Sequence, residues 1–99
     1  MTHILIVEDD LAFGTMMQTW LKKKGFETSR ATSVGAAARL LTDGTKPDLV
    51  LSAIRLHGHD GLLLLGWMRK RGHNAPFIAF TNYSAVTTEV IARNLDAAD

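Results

Sequence analysis

Short apolar or alternating runs return along this chain about every 25 residues, each followed by a stretch with helical periodicity, the pattern of βα units on a parallel sheet. His3-Ile-Leu-Ile-Val7 is a continuous run, as a central strand buried on both faces requires. Phe26–Arg30 alternates apolar with polar residues and reads as an edge strand. Leu49-Val-Leu51, introduced by Pro47 and Asp48, is a second buried strand, and Pro76-Phe-Ile-Ala-Phe80 a fourth strand with its proline in the first position. Between them, Asp10 caps a helix with Phe13, Met16, Met17, Trp20 and Leu21 on one face, ended by Gly25. Ser33 caps a second, with Val34, Ala37, Ala38 and Leu41 together, closed by Gly44. Leu62–Arg71 forms a third, with Leu64, Leu65 and Met68 inward, and Ser84 or a neighbour opens a fourth. The period belongs to a doubly wound α/β sheet rather than to a solenoid.

Ninety-nine residues supply one domain, 1–99, and the 46% hydrophobic fraction with 2 Trp and 4 Phe argues against disorder. The absence of cysteine excludes a disulfide scaffold, a thiolate zinc site and a cysteine nucleophile. A net charge of +1 gives no electrostatic reason to expect nucleic acid or an anionic membrane as partner. The apolar runs fall far short of the ~20 residues that span a bilayer, and nothing resembles a signal peptide. A cytoplasmic location is the expectation.

In open α/β sheets ligands bind beyond the carboxyl ends of the strands. Those positions hold Glu8-Asp9-Asp10, then Ser52-Ala53-Ile54-Arg55, then Thr81-Asn82. Adjacent carboxylates repel, and a cation relieves the repulsion; one or two carboxylates with room for water and phosphate suit Mg²⁺. The plainer reading is that Asp10 caps its helix while Glu8 and Asp9 point into solvent. No glycine-rich phosphate cradle is present, so a dinucleotide or nucleoside-triphosphate site is not expected. His57-x-His59 with His73 offers imidazoles to a transition metal, but without acid or thiol at fixed spacing the pattern is weak. Lys22–Lys24 reads as a solvated helix end and Trp67 as core or packing surface.

Ile4-Leu-Ile-Val-Glu-Asp-Asp10, Pro47-Asp-Leu-Val-Leu-Ser52, Ile54-Arg-Leu56, Gly58-His-Asp-Gly61 and Phe77-Ile-Ala-Phe-Thr81 together resemble the receiver domain of bacterial two-component response regulators. The likeness runs through the whole chain in order. It implies a flavodoxin-like fold of strand order 2-1-3-4-5, and a sensor histidine kinase as partner that phosphorylates an aspartate ending the third strand. It makes Glu8 and Asp9 the Mg²⁺-holding acids, Arg55 the residue whose backbone carbonyl completes the metal site, and Thr81 the hydroxyl that senses the phosphoryl group.

The acceptor position itself is Ala53. A methyl group is neither nucleophile nor metal ligand, so acyl-phosphate chemistry there is excluded and Mg²⁺ binding should be weak or absent. Ser52 should face the other way, and Asp48 and Asp60 lie away from the strand tip. His57 stands where the family usually has proline, and Asn82 where a small residue is common. Ala53 is therefore either an introduced change or natural divergence. Two readings follow: a response-regulator receiver, not itself an enzyme, that cannot be phosphorylated as written, or a pseudo-receiver acting as a phosphorylation-independent interaction module. An anion- or nucleotide-binding flavodoxin-like protein is a weaker third.

The resemblance also implies a fifth βα unit carrying a lysine, and the sequence ends at Asp99 before it. The expectation is a sheet of order 2-1-3-4, either a portion of a longer protein or a chain that dimerises or swaps through its uncovered fourth strand. No direct nucleic-acid contact is expected of this domain; output domains of the family, most commonly DNA-binding, follow the receiver.

Overall fold

The structure is a computed structural model, and residues 1–56 and 59–80 are described. Four parallel strands form the main sheet: β1 (His3–Val7), β2 (Glu27–Ala31), β3 (Leu49–Ala53) and β6 (Phe77–Phe80), in the order β2-β1-β3-β6. This is the 2-1-3-4 order read from the sequence, because β6 is the fourth long strand. Helices α1 (Leu11–Lys23), α2 (Val34–Thr42) and α3 (Leu62–Lys70) make the crossovers.

Period-two alternation along the strands sorts the sheet into two faces. Ile4 and Ile6 pack with Leu21 and Met17 of α1, joined by Phe26, Leu49 and Leu51. Leu5, Val7 and Val50 meet Ala37 and Leu41 of α2 and Leu64, Leu65 and Met68 of α3 in the larger cluster. Trp67 is half-buried against that cluster.

The helix starts follow their caps. The Asp10 carboxylate accepts from the Phe13 amide at 2.9 Å, and the Ser33 hydroxyl from the Ala36 amide at 3.0 Å. Gly25, Gly44 and Gly72 each carry positive φ just past a helix, where an L side chain would be strained.

The buried arc of α1 departs from the expected one. Met16 and Trp20 are 58% and 57% exposed, whereas Gly14 and Leu21 are buried. At 100° per residue the arc from Phe13 through Met17 and Leu21 to Gly14 is what meets the sheet, and Trp20 and Met16 fall beyond its edge. The second strand also starts one residue later than the alternation suggested. The Phe26 amide is taken by the Leu21 carbonyl at the end of α1, and the ladder to β1 opens with Glu27 donating to Thr2.

The third strand runs on to Ala53, two residues past the expected apolar run. Between β3 and α3 lies a small antiparallel pair, β4 (Arg55–Leu56) and β5 (His59–Asp60), anchored by buried Leu56. The expected fourth helix, Thr81 and Asn82 lie outside the described residues.

Candidate functional site

The parallel register pairs Val7 with Ser52, which brings Glu8 and Ala53 to the same carboxyl edge of the sheet. The three acids there separate into different roles. Asp10 faces out and caps α1. Glu8 turns inward, 5% exposed, its amide donating to the Ala31 carbonyl at 3.0 Å. Its carboxylate accepts from the Asp10 amide at 3.3 Å. Burial raises the Glu8 pKa above the ordinary glutamate value, the Asp10 amide pulls it back, and a hydrogen bond with the half-buried Asp9 carboxyl raises it again. Two carboxyl groups in such contact share a proton or a cation. The plainer reading therefore holds for Asp10, which caps its helix, and fails for Glu8, which does not point into solvent.

Ala53 is 5% exposed and pairs with Phe80 of β6. The Phe80 ring meets Phe13 of α1 at 5.9 Å between centroids, so one side of this edge is aromatic. Ser52 is fully buried, and its hydroxyl donates to the Ala53 carbonyl at 3.0 Å. Arg55 follows on β4 with its side chain exposed.

The turn after Ala53 closes tightly on it. The Gly61 amide donates to the Ile54 carbonyl, and Asp60 accepts from the Leu62 amide at 2.9 Å, which starts α3. A Cβ built on Gly61 would lie 1.9 Å from the Ala53 carbonyl oxygen. That requirement is one of backbone approach rather than of turn conformation, and the sequence carried no sign of it beyond the glycine itself.

The acidic pair, position 53 and Arg55 are thus gathered at one edge. Asp48 is not among them: it sits at the opposite end of β3, its carboxylate accepting from the His3 amide at 2.8 Å. The histidines are not brought together either. His59 lies on the hairpin beyond the carboxyl edge, whereas His73 stacks on Trp67 before the start of β6, and His57 is outside the described residues. Among the described residues no three of His, Cys, Asp and Glu converge as a metal site.

A second arrangement escaped the sequence reading. Arg30 of β2 lies over Gly14 of α1, donating to Thr15 Oγ1 at 2.9 Å and to the Leu11 and Asp10 carbonyls at 3.2 and 3.3 Å. It ties the first turn of α1, and with it the loop that carries the acids, to the edge strand.

A family model described as the response regulator receiver domain matches residues 4–99. The chain belongs to that family. Among relatives of receiver domains, the photosynthetic apparatus regulatory protein RegA of Rhodobacter capsulatus is 31% identical over 96 residues, covering 97% of this chain and 52% of its own length. The regulatory protein AtoC of Escherichia coli strain K12 is 37% identical over 97 residues, covering 98% of this chain and 21% of its own length. The chain therefore spans about half the length of one relative and about a fifth of the other.

The receiver domain of the Francisella response regulator 1452 superposes with a TM-score of 0.87 at 20% identity, covering 100% of this chain and 81% of that one, a likeness of fold alone. The response regulator TrrA of Thermotoga maritima, solved in complex with Mg²⁺ and BeF, superposes at 0.83 with 28% identity over 98% of this chain and 84% of its own.

Receiver domains bind Mg²⁺ at their phosphorylation site and interact with histidine kinases. The receiver domain described here has a hard-oxygen donor set that fits such an ion in part. Glu8 and Asp9 are in carboxyl–carboxyl contact, and a divalent cation satisfies that contact as a proton does. The end of β3 brings the methyl group of Ala53, and no carboxylate, to the same edge.

Proposed function

We propose that this receiver domain occupies the signalling position of a response regulator without accepting a phosphoryl group. The observation that carries the reading is Ala53: nearly buried at the carboxyl end of β3, on the edge that holds Glu8. It offers no lone pair to a phosphorus atom. The neighbouring hydroxyl is no substitute, because Ser52 is fully buried with its Oγ bonded to a backbone carbonyl.

Glu8 and Asp9, with the Arg55 backbone carbonyl, would hold Mg²⁺, and Thr81 would meet a phosphoryl oxygen. When bound, the ion supplies positive charge against a phosphoryl group. The protein's own residues define the rest: Glu8 holds a proton more readily than a solvated glutamate, and Gly61 closes the turn behind position 53. With one carboxylate fewer, the ion is held weakly. The domain has no catalytic output of its own on this reading, and its partner is a sensor histidine kinase or another protein that binds its surface in the cytoplasm. Residues 1–99 act as one receiver unit, and self-association through the edge of β6 is part of the same reading.

Mass spectrometry after incubation with acetyl phosphate and Mg²⁺ tests it. The chain with Ala53 should gain no phosphoryl group, and a gain would overturn the proposal. The Ala53→Asp variant distinguishes the two forms of the reading. Phosphorylation of that variant marks a receiver that lost its acceptor alone. Continued inertness, in a version of that variant extended by the lysine-bearing fifth βα unit, marks a pseudo-receiver whose site has diverged further and which works by binding.

A further inference from the structure

We propose that the amino-terminal end of the sheet is a docking surface for an anionic lipid bilayer. The near-neutral net charge conceals a strong separation of charge by the fold. All four strands are parallel, so every helix delivers its last turn to the edge where the strands begin. Eight of the ten described lysines and arginines lie there: Lys22–Lys24 at the end of α1, Arg39 in the last turn of α2, Lys46 before β3, and Arg69–Arg71 at the end of α3. All but Arg69 are exposed, and no ion pair among the described residues uses any of the eight.

The acids at that end are Glu27, Asp43 and Asp48. Two of them are turned onto His3, Glu27 at 3.5 Å from its ring nitrogen and Asp48 holding its amide. Four of the seven described acids, Glu8, Asp9, Asp10 and Asp60, lie at the opposite edge. Cations at helix ends offset the macrodipole, but that needs no triplets, and it does not account for Lys46, which lies in a loop.

The aromatic residues select the kind of anion. Both tryptophans stand in last turns at this end, each with a cation four residues on over its ring: Lys24 over Trp20 at 5.4 Å, and Arg71 over Trp67 at 5.0 Å. Trp67 is also stacked by His73 at 5.7 Å, with the planes 16° apart. The Trp67 ring, with Arg71 over it and His73 stacked on it, is a poor platform for a nucleobase. A bilayer surface asks for no such platform. It attracts clustered Lys and Arg within a Debye length, and it accommodates tryptophan beside cations at headgroup level.

Co-sedimentation of the intact protein with phosphatidylglycerol-rich vesicles, against phosphatidylcholine vesicles, tests the proposal. At low salt the expected result is pelleting with the anionic vesicles alone, a blue shift of tryptophan emission, and release when 1 M salt cuts the Debye length to about 3 Å. The quadruple variant Lys22→Glu, Lys23→Glu, Lys46→Glu, Lys70→Glu alters exposed side chains only and should retain the native circular dichroism. Its partition coefficient should fall at least about tenfold, a loss of ~1.4 kcal/mol. If that variant fails to fold, the single changes Lys46→Glu and Lys70→Glu should each weaken binding. Equal binding to both vesicle types, no binding at low salt, unchanged binding by the variants, or binding to duplex DNA but not to vesicles would each overturn it.

Discussion

The backbone of Gly61 passes so close to the carbonyl of Ala53 that a single added Cβ would stand 1.9 Å from its oxygen. The same Cβ would lie 3.0 Å from the Ser52 hydroxyl oxygen. Neither atom is the loose end of a flexible side chain, so the backbone itself must move. Gly61→Ala should destabilise the domain by ~3 kcal/mol, the upper part of the usual overpacking range. Urea unfolding monitored by circular dichroism checks this through its midpoint; an unchanged midpoint would show that the turn relaxes freely.

Gly14 makes a softer demand. A Cβ there would come within 2.3 Å of the Arg30 guanidinium, the far end of a flexible side chain. Alanine gains ~1 kcal/mol of helix propensity over glycine, whereas displacing Arg30 loses hydrogen bonds of ~1 kcal/mol each to Asp10, Leu11 and Thr15. Gly14→Ala should thus be destabilising by ~1–2 kcal/mol in the natural chain. In an Arg30→Ala background the same change should become stabilising, by up to ~1 kcal/mol. A double-mutant cycle in urea reads this reversal of sign.

Glu8 gives the stability a pH dependence. Its pKa is raised in the folded state, chiefly by burial, so between the unfolded and folded values the native protein binds more protons. This contribution is complete below the ordinary carboxylate value and is lost as pH rises through the folded one. In chelator-treated buffer Glu8→Gln should therefore be more stable than the natural chain at neutral pH, and the difference should vanish near pH 4, around the ordinary glutamate value. Thermal melts across that range give the comparison, and a difference that grows on acidification would contradict it.

Restoring a carboxylate by Ala53→Asp should exchange stability for metal affinity. Without divalent ions, a third acid at a position 5% exposed beside the Glu8 edge should lower the melting temperature. With Mg²⁺ the loss should be recovered, and calorimetric titration should give binding at least about tenfold tighter than in the chain with Ala53, or ~1.4 kcal/mol. Equal affinities in the two proteins would mean that the ion does not sense position 53.

The fold was legible because its signals are local. Continuous apolar runs for the central strands, helix caps at Asp10 and Ser33, and glycines after each helix are all written within a few residues. What the periodicity could not supply was the rotation of α1, since Met16 and Trp20 are as apolar as their buried neighbours. Asp10 was legible as the helix cap, but not the division of its two neighbours into a buried Glu8 and a half-buried Asp9. That division depends on the Ala31 carbonyl, which reaches Glu8 from a strand more than twenty residues away. The close approaches at Gly61 and Gly14 are likewise made by distant residues, and a lone glycine does not announce its neighbour.

Edge strand β2 buries only Ala31, and its inner rows are held by polar contacts: His3 Nε2 to the Ser29 hydroxyl at 2.7 Å, and Gln18 to the Thr28 hydroxyl at 3.0 Å. Of the sheet, this strand should open first, because little apolar area is lost when it leaves. Its last carbonyl, on Ala31, is the one that holds the Glu8 amide. Departure of the edge would release that amide, so fraying at the margin of the sheet propagates to the first residue of the acidic loop, visible as amide exchange at Glu8 that tracks β2 rather than β1.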